Sequence, residues 1–297
     1  LGAVAAVLVT NTVQLLVFAG EAAAAYRARR WSPRGVLVWA GPEARRLLFY
    51  GGILLLAGIA MLGSVVLVRT LTVRTLGDYA NGIYQVAYGF SNQYTTVYMT
   101  WMAAYVFPRV AGESRERVGG LLNSALRANL FLMVPVLVLM VALREPLIRV
   151  FYAGSFLPAA SLIPIQVLGD YARVVGWSFG VSLFAQGHTR SYLAAILAQS
   201  LAWVLIAGPA LPVLGVSAVA AGYALSFLAW PALMYPLARR WLGVRIDRQG
   251  SLLTLLGLAL IAAAIAVPLP VGVLLAAVLP AVVYLGRWMP KRMQRTS

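Results

Sequence analysis

One stretch of this chain gathers polar side chains where a membrane helix would be expected to hide them. Between residues 80 and 107 it carries Asn81, Tyr84, Gln85, Tyr88, Ser91, Asn92, Tyr94, Thr95, Thr96, Tyr98 and Thr100. Asn81, Gln85, Tyr88, Asn92 and Thr95 recur at intervals of three or four, so on a helix they share a face, with Tyr84 beside them. Such a stripe can be a seam of hydrogen bonds between packed helices, each averaging under about 1 kcal/mol. It can also be the wall of a water-filled cavity. Its width and its richness in Tyr and Asn favour the cavity. Flat aromatic faces and paired donor and acceptor groups suit a sugar or a lipid headgroup.

A second constellation is Asp170 with Arg173, three residues apart and hence on one helix face. A charge near the bilayer centre costs at least about 2.5 kcal/mol. The two can neutralise each other as a structural pair. They can also work separately, Arg173 presenting fixed donors to a phosphate and Asp170 orienting it or carrying a proton or cation. Arg127 stands one or two turns into an apolar stretch, placed either to snorkel to the interface or to line a vestibule, and Glu21 is placed similarly. Catalytic and metal signatures are missing from the sequence. It has no cysteine and a single histidine, His188, beside Arg190 in a short polar turn. It has no HExxH, P-loop, serine elbow or acidic cluster, so neither an enzyme nor a cofactor or metal site is expected.

These residues need a scaffold, and composition says which kind. Of 297 residues 62% are hydrophobic and 11% charged, too few charges to coat a soluble core, since soluble chains average about 25%. Apolar runs repeatedly reach the ~20 residues that cross a bilayer. About nine spans are expected: 1–26, 47–71, 80–107, 121–143, 159–186, 191–211, 217–238, 252–267 and 271–285. Helix is forced, because unpaired backbone groups cannot face lipid and the runs lack the alternation of barrel strands. The expected fold is therefore an all-α polytopic membrane bundle. A short turn is expected around Arg69, Arg74 and Asp78, a kink at Pro135, and a short interfacial helix over residues 146–152. The opening at Leu1, inside an apolar run with no basic flank, reads as the C-terminal part of a longer polytopic protein.

The net charge of +16 would point to nucleic acid in a soluble protein, but here the charges sit in short loops. Counting alternate loops places 18 basic residues on one side and four, Arg69, Arg74, Arg144 and Arg149, on the other. Positive loops stay inside, so the expected orientation has a cytoplasmic C-terminus, with no nucleic-acid partner.

Several segments together resemble a known group. They are Arg69 to Leu71, the run from Leu76 to Ala87, Phe107-Pro108-Arg109, the run from Phe151 to Ala160, and Gly187-His188-Thr189-Arg190. Together they resemble polysaccharide and oligosaccharide-lipid flippases of the O-antigen translocase type, in the multidrug/oligosaccharidyl-lipid/polysaccharide exporter superfamily. The resemblance implies the second lobe and terminal hairpin of a fourteen-helix, two-lobed exporter. Residues 1–26 would be the last helix of a missing N-terminal lobe and 27–46 a basic cytoplasmic linker. Residues 47–240 would be the six-helix C-terminal lobe, and 250–297 the two-helix hairpin with its basic tail.

The implied activity is flipping of undecaprenyl-linked oligosaccharide or polysaccharide precursors across the bacterial inner membrane by alternating access. A proton or sodium gradient could drive it, with no other cofactor. Implied partners are an anionic lipid-linked glycan, membrane lipids, and the polysaccharide polymerase and glycosyltransferases that work on the same glycan. The expected cavity residues are Asn81, Tyr84, Gln85, Tyr88, Asn92, Thr95, Arg127, Asp170 and Arg173. A lipid II flippase and a multidrug exporter are the alternatives within the superfamily, and an integral membrane polysaccharide polymerase lies outside it. A drug exporter would want an apolar, acid-containing cavity, against which Arg127 and Arg173 count. A polymerase would want an acid and a histidine gathered at one face.

Overall fold

A computed structural model describes residues 41–266. The first and ninth expected spans, Glu21, most of the basic linker and the basic tail lie outside them. The chain divides into two compact units, Leu1–Gly52 and Ile53–Ser297, and every side chain discussed below belongs to the second.

Among the described residues the protein is helical without strands, an all-α polytopic bundle. Helix α1 runs Gly41–Trp101, followed by a π turn at Met102–Val106 and by α2, Phe107–Ala111. Then come α3 (Arg115–Ala142), α4 (Arg144–Phe151), a 3₁₀ segment (Gly154–Ser161) and α5 (Ile163–Ala185). The series ends with α6 (Thr189–Leu214), α7 (Ser217–Leu242) and α8 (Arg248–Ala266). Among the described residues five stretches are long and apolar enough to cross a membrane: Leu48–Ala111, Arg115–Ala142, Thr189–Leu214, Ser217–Leu242 and Arg248–Ala266. The first holds 64 residues, far more than one crossing needs, and combines the second and third expected spans. Helix α5 is long enough but too polar to join them, with Gln166, Asp170 and Arg173 in its sequence. It is instead the most enclosed helix, with 17 of its 23 residues buried.

The turn expected over residues 69–78 is confined to a single residue. Helix continues through it and departs from helical geometry only at Gly77, at φ 84° and ψ 174°. That backbone region is open to glycine almost alone, so one residue does the work of a loop. The short helix expected over residues 146–152 forms at Arg144–Phe151, and Phe151 and Tyr152 both set their rings edge-on to Phe90, at 6.4 and 5.7 Å. Helix α3 runs unbroken through Pro135. Pro108 has no N–H to offer the carbonyl four residues back, which accounts for the widened π turn just before α2.

Two parallel pairings organise the bundle around α5. The second half of α1, with α2, runs alongside it at a constant offset of 76 residues. Tyr79 OH bonds the Ser155 carbonyl, Tyr94 OH the Asp170 carboxylate and Tyr98 OH the Val174 carbonyl, and Gln186 Nε2 bonds the Val110 carbonyl. On another face α7 lies against three glycines. A Cβ at Gly169 would stand 2.7 Å from Tyr223 Cδ1, and one at Gly176 would stand 2.2 Å from Trp230 Cδ1, so neither position has room for a side chain. Helix α6 returns antiparallel to α7, fixed by Trp203 Nε1 donating to the Val219 carbonyl and Gln199 Nε2 to Ser226 Oγ.

Replacing Gly77 by Ala adds no clash, because nothing stands within 4 Å of its Cβ, so the effect isolates backbone strain. We expect Gly77→Ala to cost about 1–3 kcal/mol. Gly63→Ala, equally uncrowded but in regular helix, should be neutral or stabilising by up to about 1 kcal/mol. Thermal unfolding of the purified variants in detergent checks the opposite signs.

Candidate functional site

Asp170 lies at the centre of the bundle, completely shielded from solvent. Its carboxylate accepts three hydroxyl hydrogen bonds. Oδ1 takes Ser91 Oγ at 2.8 Å and Tyr223 OH at 2.6 Å, and Oδ2 takes Tyr94 OH. Gln166 Nε2, one turn earlier on α5, reaches Ser91 Oγ at 3.4 Å. Ser91 and Tyr94 come from the second half of α1 and Tyr223 from α7, so the acid ties α5 to both its parallel neighbours.

Arg173 does not pair directly with Asp170. Among the described residues the ion pairs are Arg117–Glu113, Arg127–Asp247 and Arg149–Glu145. Arg173 Nη1 donates to Tyr223 OH at 3.3 Å, and the same hydroxyl donates onward to Asp170. Its guanidinium carbon lies 5.3 Å from the Phe227 ring centre, and its Nε has no hydrogen-bond partner. The two charges are therefore joined through a phenol, and part of the guanidinium fork is uncommitted.

Next to this cluster runs an aromatic wall. Tyr84 and Tyr88 lie 5.9 Å apart, Tyr88 stacks on Trp203 at 6.5 Å, and Trp203 meets Tyr223 edge-on at 5.3 Å. The Tyr84 hydroxyl and the side-chain oxygens of Asn81 and Gln85 are buried with no hydrogen-bond partner. Orphaned polar atoms are rare in native interiors and costly, so three on one helix flank point to a surface meant to meet something polar. Two turns along α5 lies a second polar knot, in which the Asn129 side-chain oxygen is also left without a partner. Asn129 Nδ2 donates to Ser178 Oγ at 2.6 Å, while Ser178 and Tyr98 both donate to the Val174 carbonyl.

The expected cavity residues divide accordingly. Asn81, Tyr84, Gln85 and Tyr88 line the aromatic side, and Asp170 and Arg173 form the charged centre. Asn92 is exposed, and Thr95 is buried with its hydroxyl on the Ser91 carbonyl of its own helix. Arg127 belongs elsewhere. It pairs with Asp247, whose Oδ1 caps α8 at the Gly250 N–H, while Asn123 grips the Arg245 carbonyl and the Asp247 N–H. His188 stacks on Trp241 at 4.8 Å, and burial together with nearby Arg115 holds its imidazole below the ordinary histidine range. Among the described residues no three His, Cys, Asp or Glu side chains converge on a metal position.

Ser91, Tyr94 and Tyr223 are the partners of Asp170 that sequence reasoning left out of the expected site. For the first two a signal existed. Tyr84, Ser91 and Tyr98 follow at intervals of seven, which is the seam actually buried, one residue round the helix from the chosen stripe, and Tyr94 falls one turn after Ser91 on the same side. Tyr223 gives no local signal.

A family described as polysaccharide biosynthesis protein matches residues 2–161, over half the chain. The chain belongs to that family. It is a multi-pass membrane protein with a role in polysaccharide biosynthesis and export, which agrees with the resemblance to O-antigen-type flippases. The matched segment contains Ser91, Tyr94 and the aromatic residues of α1 and ends just before α5. No curated protein and no solved structure matches the chain.

Tyr223→Phe removes the one hydroxyl that touches both Asp170 and Arg173. Hydrogen bonds between membrane helices average about 0.6 kcal/mol, but a charged, fully buried acceptor raises the stake to about 1.5–3 kcal/mol. Unfolding of Tyr223→Phe, Asp170→Asn and the double variant forms a cycle in which we expect clear coupling, at least about 0.5 kcal/mol.

Proposed function

We propose that this protein carries an undecaprenyl-linked, phosphate-containing oligosaccharide or polysaccharide precursor from the inner to the outer leaflet of a bacterial inner membrane. It does so by alternating access, without making or breaking a glycosidic bond. The observation that carries this reading is Arg173, a guanidinium beside a wall of Tyr84, Tyr88, Trp203 and Tyr223 with its Nε unpartnered. A lipid-linked glycan brings the two chemistries this arrangement answers. Its phosphate suits a planar cationic fork, and its sugars suit aromatic faces bordered by amide oxygens. Asp170 orients the fork through Tyr223 and offsets its charge.

Residues 47–240 form the transporting lobe in this proposal, with 250–297 as an accessory hairpin. The polymerase and glycosyltransferases of the same glycan are the partners that consume and supply the cargo. The 18 to 4 split of basic residues sets the orientation. Reporter fusions after Phe156 should report the periplasm and those after Arg295 the cytoplasm; the reverse at either site would overturn the orientation.

Because Asp170 keeps hydroxyl partners of its own, losing Arg173 should harm transport more than folding. In proteoliposomes loaded with a fluorescent lipid-linked oligosaccharide, Arg173→Ala should lower translocation by about tenfold or more, and Arg173→Lys by less. The double variant Arg173→Ala/Asp170→Asn should reach normal membrane abundance and still translocate poorly. Normal translocation by that double variant would remove Arg173 from the site, and a glycosyl bond made or broken without translocation would sink the flippase reading itself.

A further inference from the structure

The four basic residues on the arginine-poor face are not equivalent. Arginine is scarce there, so each one present calls for a local reason. Arg149 pairs with Glu145 at 3.1 Å, and Arg144 donates to the Val141 carbonyl at 2.7 Å. Arg69 and Arg74 take part in none of the ion pairs among the described residues. Both line a cavity of about 410 Å³, more open to the surface than enclosed, together with Val66, Thr70, Val73 and Asn81. The cavity lies at the Gly77 break, its arginines coming from before the break and Asn81 from after it.

Three features define what fits. Two guanidiniums without a carboxylate attract an anion, and paired forks match phosphate oxygens better than a single carboxylate. The Asn81 Oδ1, buried and without a partner, seeks a donor such as a hydroxyl. Valine side chains and the helix surface give the cavity an apolar flank.

We propose that the cavity at the Gly77 break binds the phosphate headgroup of a lipid, through Arg69 and Arg74, with Asn81 receiving a hydroxyl of the attached group. It is a second anion site, separate from Arg173. That a headgroup binds there stands on the cavity alone. That the headgroup belongs to the transported glycan lipid, met on the outer side as it leaves, rests on the translocation reading.

The purified chain in detergent is titrated by calorimetry with farnesyl diphosphate and with short-chain phosphatidylglycerol. Arg69→Gln/Arg74→Gln should weaken farnesyl diphosphate binding by about tenfold or more. Arg144→Gln/Arg149→Gln should leave it unchanged. Should the glutamine pair fail to fold, Arg69→Lys/Arg74→Lys decides: it keeps the charge but loses the forks, so binding should weaken severalfold. Tighter binding of the diphosphate assigns the site to a polyprenyl-linked cargo, and equal binding assigns it to bulk anionic phospholipid; either retains the phosphate site. Absent binding, indifference to both the glutamine and lysine pairs, or equal weakening by the control pair would each overturn it. The two readings fail separately. Headgroup binding that depends on Arg69 and Arg74 without any glycan translocation defeats only the flippase reading. Translocation with headgroup binding indifferent to these arginines defeats only this site.

Discussion

A carboxylate shut away from water inside a membrane bundle sets the terms for the helices around it. Placing an acid at such depth costs on the order of 2.5–3.5 kcal/mol before any partner is found. Asp170 recovers this by taking hydroxyls from Ser91, Tyr94 and Tyr223, and each bond has a direction as well as an energy. The second half of α1 must turn Ser91 and Tyr94 inward, and α7 must turn Tyr223 inward. Once both rotations are set, Tyr84 and Tyr88 can only fall on the flank next to Trp203. The aromatic wall follows from satisfying one acid.

Close approach makes those bonds reachable. Tyr223 arrives at Asp170 across the surface of Gly169, where even a methyl group would intrude to 2.7 Å. Lipid offers helices no hydrophobic incentive to associate, so small residues that let backbones near each other and polar groups that bond across the gap share the task. Here the two devices occupy adjacent positions, 169 and 170, and neither would be effective alone. The same logic separates the two arginines within apolar sequence. Arg127 finds an acid in Asp247 and closes the start of α8, while Arg173 finds only a phenol and keeps donors to spare.

Much of the fold was legible because lipid restricts the choices: long apolar runs can only be helices, and their ends show in Gly, Pro and Arg. The turn before Asn81 was read too wide because the charges at Arg69, Arg74 and Asp78 look like a loop, whereas a single glycine at 77 suffices. The site was half legible. Asp170 and Arg173 declare themselves by being charged in an apolar setting, and the polar density of residues 81–98 is plain. Which face of that helix turns inward depends on its partner, and an offset of one residue rotates a helix by about 100°. Tyr223 was invisible for the same reason: its role is created 53 residues away, by the acid it bonds.

The constant offset of 76 residues between α1–α2 and α5 has a consequence for how such a chain can vary over time. From Tyr79 to Val110 the shared register covers about 45 Å of helix, longer than the hydrocarbon core is thick. Deleting or inserting one residue inside either partner would put every contact beyond that point out of step at once. The same change in the short turn at Gly112–Ser114 would leave all of them matched. Descendants of this sequence are therefore free to change length in their turns, but along the paired helices they can diverge only by exchanging one side chain for another.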